Sequence, residues 1–302
     1  MKKKLLSVMM TLTMAAAMMF TGCGSSDGGG GSAADGQDSS GDKILKLGIE
    51  CTYTPYNWTQ ESEELPNGEK AVKIENADGY AYGYDVALAQ MICEELGWEL
   101  EVYKSDWTSI FMGLEDGTYD CIMSGVAPTE EREAIYDFTS TYYHRSVVAV
   151  VREDSDLADI TSLSGFEGTS PKAIGQMGTI YQTYKTQIPS YVDTVDYEAS
   201  AELYLALQNG TADVLVADLA TAESALKTMS GLKVLELDDD DDFTPPEGST
   251  NDCAILYRGG DKECDVVTEA MAAMGWTADT EEGVQAMNDL MTKMIELQPS
   301  SN

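Results

Sequence analysis

Short apolar runs and amphipathic stretches alternate along most of this chain, and their order predicts a layered α/β protein. Ile44–Ile49 alternates and is rich in β-formers, which makes it a first strand; it runs into the aromatic loop Glu50–Trp58. Residues 59–83 are polar with Gly, Asn and Pro turns and read as a surface loop, or a hairpin around Ala71–Ile74. Asp85 is placed to cap a helix running to Leu96, with Gly97 as its stop and Val86, Ala89, Ile92, Cys93 and Leu96 as its buried stripe. Glu99–Tyr103 is the next strand, and Asp106-Trp107-Thr108 opens a helix that runs through Leu114 and closes at Gly117. Cys121–Met123 is a short buried strand, followed by the small-residue turn Ser124–Pro128 and a helix start capped by Thr129. Residues 44–137 thus read β-α-β-α-β-α, the order of a mainly parallel sheet covered by helices.

Ser146–Val151 is apolar throughout and reads as the strand leading out of this first unit. Thr161–Gly168 is a loop with a short helix at most, and Ala173–Ile174 starts a new strand. Gly178-Thr179 opens a helix to about Gln187, and Asp193–Tyr197 is a strand. Ala199–Gln208 is a helix stopped by Asn209-Gly210. Val214–Ala217 is a buried strand that delivers Asp218 at its C-terminal end; Thr221–Thr228 is a helix and Lys233–Leu237 a strand. Asp238–Asp242, five aspartates in a row, reads as a solvated loop rather than a calcium site. After Pro245-Pro246, Cys253–Tyr257 reads as a strand running back, followed by amphipathic helices over Val266–Met274 and Val284–Leu297. No repeat of sequence links the two units, although they share an architecture.

The first residues have a different character. Lys2, Lys3 and Lys4 precede an apolar stretch, Leu5–Phe20, too short and wrongly flanked for a transmembrane helix, and Phe20-Thr21-Gly22-Cys23 follows it. Residues 1–22 read as a signal peptide with a lipobox, Cys23 as the lipidated residue, and the Gly/Ser-rich segment 23–42 as a flexible tether. The expected product is a globular body anchored outside the cytoplasm by its N-terminal lipid. With 302 residues and a formal charge of −35, the chain has room for two domains and disfavours nucleic acid and anionic membrane surfaces as partners. Cys51, Cys93, Cys121, Cys253 and Cys264 remain, an odd number that leaves at least one thiol free. No pair of them has metal-ligand spacing and there is one His, so neither a metal nor a cofactor is expected.

Open α/β sheets bind ligands beyond the C-terminal ends of their strands. Those ends bring together one guanidinium (Arg132), one isolated carboxylate (Asp218), two large aromatics (Tyr53, Trp107) and two helix starts rich in small residues. Arg132 lies in the first turn of a helix, where a cation opposes the helix dipole; an anion held there would meet free N–H groups and the guanidinium together. Pairing with a nearby Glu or Asp is the bland alternative. Taken together, the set suits an α-amino acid, with Arg and N–H groups for its carboxylate, an acid for its ammonium and walls for its side chain.

The ordered motifs carry a resemblance. They are Leu47-Gly48-Ile49-Glu50, Tyr53-Thr54-Pro55-Tyr56, Gly83-Tyr84-Asp85-Val86, Trp107, Leu114-x-x-Gly117-x-Tyr119-Asp120 and Ser124-Gly125-Val126-Ala127-Pro128-Thr129-Glu130-Glu131-Arg132. Asp137-Phe138-Thr139, Tyr142-Tyr143, Gly178-Thr179, Leu207-x-Asn209-Gly210-x-x-Asp213 and Asp218 follow. Across nearly all of 44–297 the chain resembles the amino-acid-binding proteins of bacterial ABC importers, the family-3 solute-binding proteins. The resemblance implies a two-lobed periplasmic-binding-protein-like fold, each lobe a mainly parallel sheet flanked by helices, with the first lobe discontinuous. Its parts would be residues 43–149 and 250–302 for lobe 1 and 150–249 for lobe 2, with crossings at Val148–Val151 and Ser249–Cys253.

It also implies roles. Arg132 would clamp the α-carboxylate and Asp218 pair the α-ammonium. Tyr53 and Trp107 would wall the side chain, and Glu50 would face it. Ser124, Gly125 and Ala127 would offer backbone groups from lobe 1, and Gln176, Gly178 and Thr179 from lobe 2. Two positions depart from the pattern: Ala127 and Ile180 stand where hydroxyl residues are common. The expected function is that of a monomeric, lipid-anchored receptor that closes on a polar or cationic amino acid and presents it to an ABC permease. A lipoprotein that senses an amino acid or serves adhesion is the first alternative. A cyclohexadienyl dehydratase-like lyase is the second, disfavoured because His144 lies outside the cleft motifs and the cleft carboxylates have binding roles.

Overall fold

The computed structural model describes residues 43–299. The segments expected to be a signal peptide and a tether, with the expected lipidation site Cys23, lie outside the described residues. The first part of the chain contains β1 (Ile44–Ile49), β2 (Thr52–Tyr53), β3 (Asn57–Gln60), β4 (Val72–Lys73), β5 (Tyr80–Tyr82) and α1 (Tyr84–Leu96). It continues with β6 (Glu99–Lys104), α2 (Trp107–Glu115), β7 (Cys121–Ile122), α3 (Glu130–Glu133) and β8 (Tyr136–His144). A second part holds β9 (Val147–Arg152), β10 (Lys172–Ile174), α4 (Tyr181–Tyr184), β11 (Val192–Asp193), α5 (Ser200–Gln208), β12 (Val214–Asp218), α6 (Leu219–Thr228) and β13 (Leu232–Val234). The chain then returns through β14 (Asp252–Arg258), α7 (Glu263–Ala273) and α8 (Glu281–Leu297).

Two five-stranded sheets carry the two lobes. In the first the order is β6-β1-β7-β14-β8, with β1 parallel to β6 and β7 and only the returning β14 running against its neighbours. In the second the order is β11-β10-β12-β9-β13, and only β9 is reversed. Each sheet is therefore mainly parallel and covered by helices, the expected α/β architecture with a discontinuous first lobe.

The lobe boundary differs from the expected one. Val148–Val151 is not a crossing: those residues sit inside β9 and pair with Leu215, Val214 and their neighbours on β12. Four adjacent apolar side chains are stable only where a sheet is covered on both faces, and Ala149, Val150 and Val151 are fully buried there. The chain changes sheet at Arg145-Ser146, between the end of β8 and the start of β9. The return passes through Thr250-Asn251, just before β14.

Three further expectations are corrected. Of the two readings of residues 59–83 the hairpin holds and the plain surface loop does not: β4 pairs antiparallel with β5, and β2-β3-β5-β4 form a small antiparallel sheet in which Trp58, Ala81 and Tyr82 are buried and Trp58 packs edge-on against Tyr82. β8, nine residues long, is absent from the sequence pattern; its polar alternation is weak and its register against β14 shifts at Cys253/Ala254 and again by Leu256. Asp85 does not cap α1. The cap position is Gly83, and the first N–H groups of α1 are satisfied by the loop before it, Tyr84 N donating to Pro55 O (3.1 Å) and Asp85 N to Tyr56 O (2.9 Å). The Asp85 side chain instead turns inward. It accepts from Asn57 Nδ2 (2.8 Å) and from Tyr142 OH (2.9 Å), whose oxygen accepts in turn from Gly125 N (3.1 Å). Gly97 closes α1 in the left-handed conformation, as its position predicts.

Candidate functional site

The turn after β7 builds one wall. Thr129 caps α3, its Oγ1 accepting from Arg132 N (3.3 Å). This short helix aims the Arg132 side chain back across the turn, where Nη1 donates to Ala127 O (2.8 Å) and Nη2 to Gly178 O (3.2 Å) of the other lobe. The guanidinium lies 5.6 Å from the Trp107 ring centre and 5.3 Å from that of Phe111. No acidic side chain among the described residues is within ion-pair distance of Arg132, so the bland alternative does not hold. Burial, with Arg145 as a second cause, lowers its pKa to about 10, which still leaves it cationic at neutral pH.

Arg132 opens onto a narrow space between the lobes, with only ≈ 10 Å³ open to the centres of water-sized molecules. Eight residues named from the sequence line it: Tyr53, Trp107, Ser124, Gly125, Ala127 and Arg132 from the first lobe, and Gln176 and Thr179 from the second. Three do not. Gly178 stands beside it, its carbonyl on Arg132 and its N–H donating to Gln182 Oε1 (2.7 Å). Asp218 lies behind Tyr53, only 1% exposed, and accepts from Tyr53 OH (3.0 Å) and from Thr221 N (3.1 Å), the latter as cap of α6. Burial raises the Asp218 pKa, and Arg145 and the two hydrogen bonds oppose the rise.

Glu50 is the third. It ends β1 with 5% of its surface exposed; its N–H donates to Ser124 Oγ (3.1 Å), and its carboxylate has no hydrogen-bond partner among the described residues. Burial first, then the negative charges of Asp85, Glu198 and Asp106, push its pKa up to about 8. Gln176 is held through Nε2 to Glu198 O (2.9 Å), and Thr179 Oγ1 donates to Gln176 O (2.7 Å) and accepts from Tyr181 N (3.2 Å). Tyr53 stacks on Tyr56, ring centres 4.8 Å apart.

Arg145, Ile180 and Tyr181 complete the lining; the sequence marked Ile180 only as a departure from the family pattern, and it named neither Arg145 nor Tyr181 as a site residue. A signal existed for Arg145, a lone cation between Tyr142-Tyr143 and an apolar strand. Among groups outside the cleft, His144 Nδ1 pairs with Asp252. The five cysteines among the described residues are free and buried. In the aspartate run, Asp241 accepts from Ser164 N (3.0 Å), tying that loop to the second lobe. No helix among the described residues is long and apolar enough to cross a membrane.

Comparison with known proteins gives a consistent result. The model of a family described as bacterial extracellular solute-binding proteins, family 3, matches residues 45–296. The chain is 27% identical over 270 residues to the arginine-binding extracellular protein of Bacillus subtilis, covering 87% of this chain and 91% of that one. It is 26% identical over 238 residues to an L-cystine-binding protein of the same organism, with 78% and 80% covered. An amino acid ABC transporter substrate-binding protein from Streptococcus pneumoniae, solved bound to L-arginine, superposes with a TM-score of 0.66 at 22% identity over 84% of this chain and 95% of that one.

Proposed function

Because the chain belongs to the bacterial extracellular solute-binding proteins of family 3, we propose that it captures a polar or cationic amino acid outside the cytoplasm and presents it to an ABC permease. The observation that carries this reading is Arg132: a cation without an acidic partner among the described residues, opening onto a space between two lobes. A ligand carboxylate would complete it, with the backbone N–H groups of Ser124 and Ala127 as further donors, and Thr179 Oγ1 once it turns from Gln176 O. Asp218 would take the ammonium once Tyr53 OH yields its place. Tyr53 and Trp107 would enclose the side chain.

Glu50, which does not line the space between the lobes here, would set the side-chain preference once the cleft opens to it. A carboxylate 5% exposed and without a hydrogen-bond partner among the described residues suits a ligand bearing a cation or an amide donor. The names of the arginine-binding and cystine-binding relatives support a polar ligand, and L-arginine is the first candidate. Arg132, on α3 between two strands of the first sheet, and Asp218, at the end of β12 in the second, belong to different lobes, so only lobes brought together engage both ends of an amino acid; the ligand thereby favours closure. Lipid attachment at Cys23 would hold the receptor at the membrane beside its permease.

A thermal-shift screen of residues 43–302 against the twenty amino acids and L-cystine tests the reading. A rise in melting temperature with one or two polar amino acids is expected. Arg132→Ala should weaken the same ligand by about 100-fold, ~3 kcal/mol, because it removes one partner of a buried charged pair. No shift with any amino acid, or an undiminished shift in Arg132→Ala, would overturn the reading.

A further inference from the structure

Arg145 stands where the chain passes from one sheet to the other, yet its side chain is only 6% exposed. One side of it grips the second crossing: its main-chain N–H and Nε both donate to Asn251 O (3.3 and 2.9 Å), and Nη2 reaches Asp252 O (3.4 Å). The other side enters the pocket, where Nη1 donates to Gly125 O (2.7 Å) of the first lobe and to Tyr181 OH (3.3 Å) of the second. Every one of these acceptors is neutral. No carboxylate among the described residues lies within ion-pair distance of it. A guanidinium buried in this way needs a counter-charge close by.

Asp218 is the buried anion on the other side of Tyr53. Tyr53 OH donates to Asp218, and Tyr53 OH and Arg145 Nη1 lie 3.6 and 3.7 Å from one point, the place a Cβ on Gly125 would take. Gly125 has φ 58°, a conformation glycine adopts without strain, and a Cβ there would crowd Tyr53 Cε1 at 3.0 Å, so the glycine lets the Tyr53 ring and the Arg145 guanidinium both close on the turn. Tyr181 OH, which accepts from Arg145, borders Tyr53 as well.

We propose that Arg145 is a positioning residue of the binding site, the counter-charge that acts through Tyr181 and Tyr53 to keep Asp218 a carboxylate for the ligand's ammonium group. The other titratable groups around Asp218 are Tyr53 and Tyr56 after β1, Tyr143 on β8, Tyr181 on α4, Tyr204 on α5 and Cys253 on β14. Burial pushes each of them upward, so all are neutral near pH 7 and Arg145 is the one cation among them. Because the same guanidinium holds carbonyls of the second crossing, the charge that Asp218 requires is anchored at the hinge. The proposal rests on reading Asp218 as the ammonium partner.

Its test needs no ligand, so it stays informative if the amino-acid screen fails. The protein is labelled with ¹³C at aspartate Cγ and titrated by NMR, Asp218 being the resonance lost in Asp218→Asn. In Arg145→Met the Asp218 midpoint is expected to rise by about one pH unit or more. Arg145→Lys, which keeps the charge but not the fork, should stay near the parent, and Tyr181→Phe should shift upward by less than Arg145→Met. A midpoint unchanged in Arg145→Met overturns the proposal. A shift in Arg145→Lys as large as in Arg145→Met also overturns it, since the effect would then belong to the lost hydrogen bonds. Should Arg145→Met fail to fold, Tyr181→Phe decides, and an unmoved midpoint there rejects the coupling.

Discussion

Glu50 lies where folding and the proposed binding would make opposite demands. Its ordinary pKa is 4.5 and burial moves it to about 8 in the folded protein. Between those values the folded protein holds a proton that the unfolded chain has released, so this group's contribution to stability is present below pH 4.5 and is lost as the pH rises toward about 8. Asp85, raised to about 7 by its own burial, adds to the same slope. Glu50→Gln keeps the shape and cannot ionise. Its melting temperature should match the parent near pH 4.5 and exceed it at pH 8, measured by scanning fluorimetry across that range. Equal melting temperatures at pH 8 would mean that the carboxylate is solvated, not buried. A cationic ligand reverses the demand, since it stabilises the ionised form that folding alone disfavours. At this scale much was legible: Arg132, Tyr53 and Trp107 follow from their residue types at strand and helix ends. The state of Glu50 does not, because it depends on Asp85, Glu198 and Asp106 brought near it by the fold.

Elements closed by local chemistry are where the sequence foretold. α1 stops at Gly97 and α3 starts at Thr129, each settled within a few residues, whereas α6 begins at Leu219 with Asp218 as its cap, two residues before the expected Thr221. The start of α1 is different. Gly83 has φ 125°, and a Cβ there would fall 2.4 Å from Tyr56 O, against the same loop that satisfies the first N–H groups of the helix. Gly83→Ala must push the loop away and adopt a strained φ, so a loss of more than ~2 kcal/mol is expected by urea denaturation. A smaller change would show that the loop yields freely. With that loop goes the support of Asp85, and through Tyr142 the hold on Gly125 in the binding turn. β8 and the small sheet were illegible for a related reason: their partners lie far along the chain and their own patterns are weak.

Across the whole molecule the lobes meet through charged groups. Glu198, before α5, accepts with Oε1 from Thr108 N (2.8 Å) and Thr108 Oγ1 (2.6 Å) at the start of α2 in the other lobe. Asp106, the cap residue of α2, makes no side-chain cap bond of its own, so the second lobe supplies that cap. These bonds lower the Glu198 pKa, and they are lost as the pH falls through that depressed value. Glu198→Ala should shift the ligand-free protein toward separated lobes, seen as a larger radius of gyration in small-angle scattering, with a saturating ligand narrowing the difference. Identical scattering curves would exclude Glu198 as a contact that holds the lobes together.

The sequence by itself determined the order of strands and helices apart from β8 and the small sheet, the two α/β lobes and the motifs of the family, because hydrophobic period, caps and turn residues act over a few neighbours. The tertiary structure alone decided the rest. It placed the sheet change at Arg145 rather than in the valine run, set Asp218 behind Tyr53, and brought Arg145 and Tyr181 into the lining. Those outcomes depend on contacts between distant segments, such as Tyr53 with Asp218 or Arg145 with Asn251. Burial and charge at such contacts exist only once the chain has closed on itself, and no local pattern encodes them.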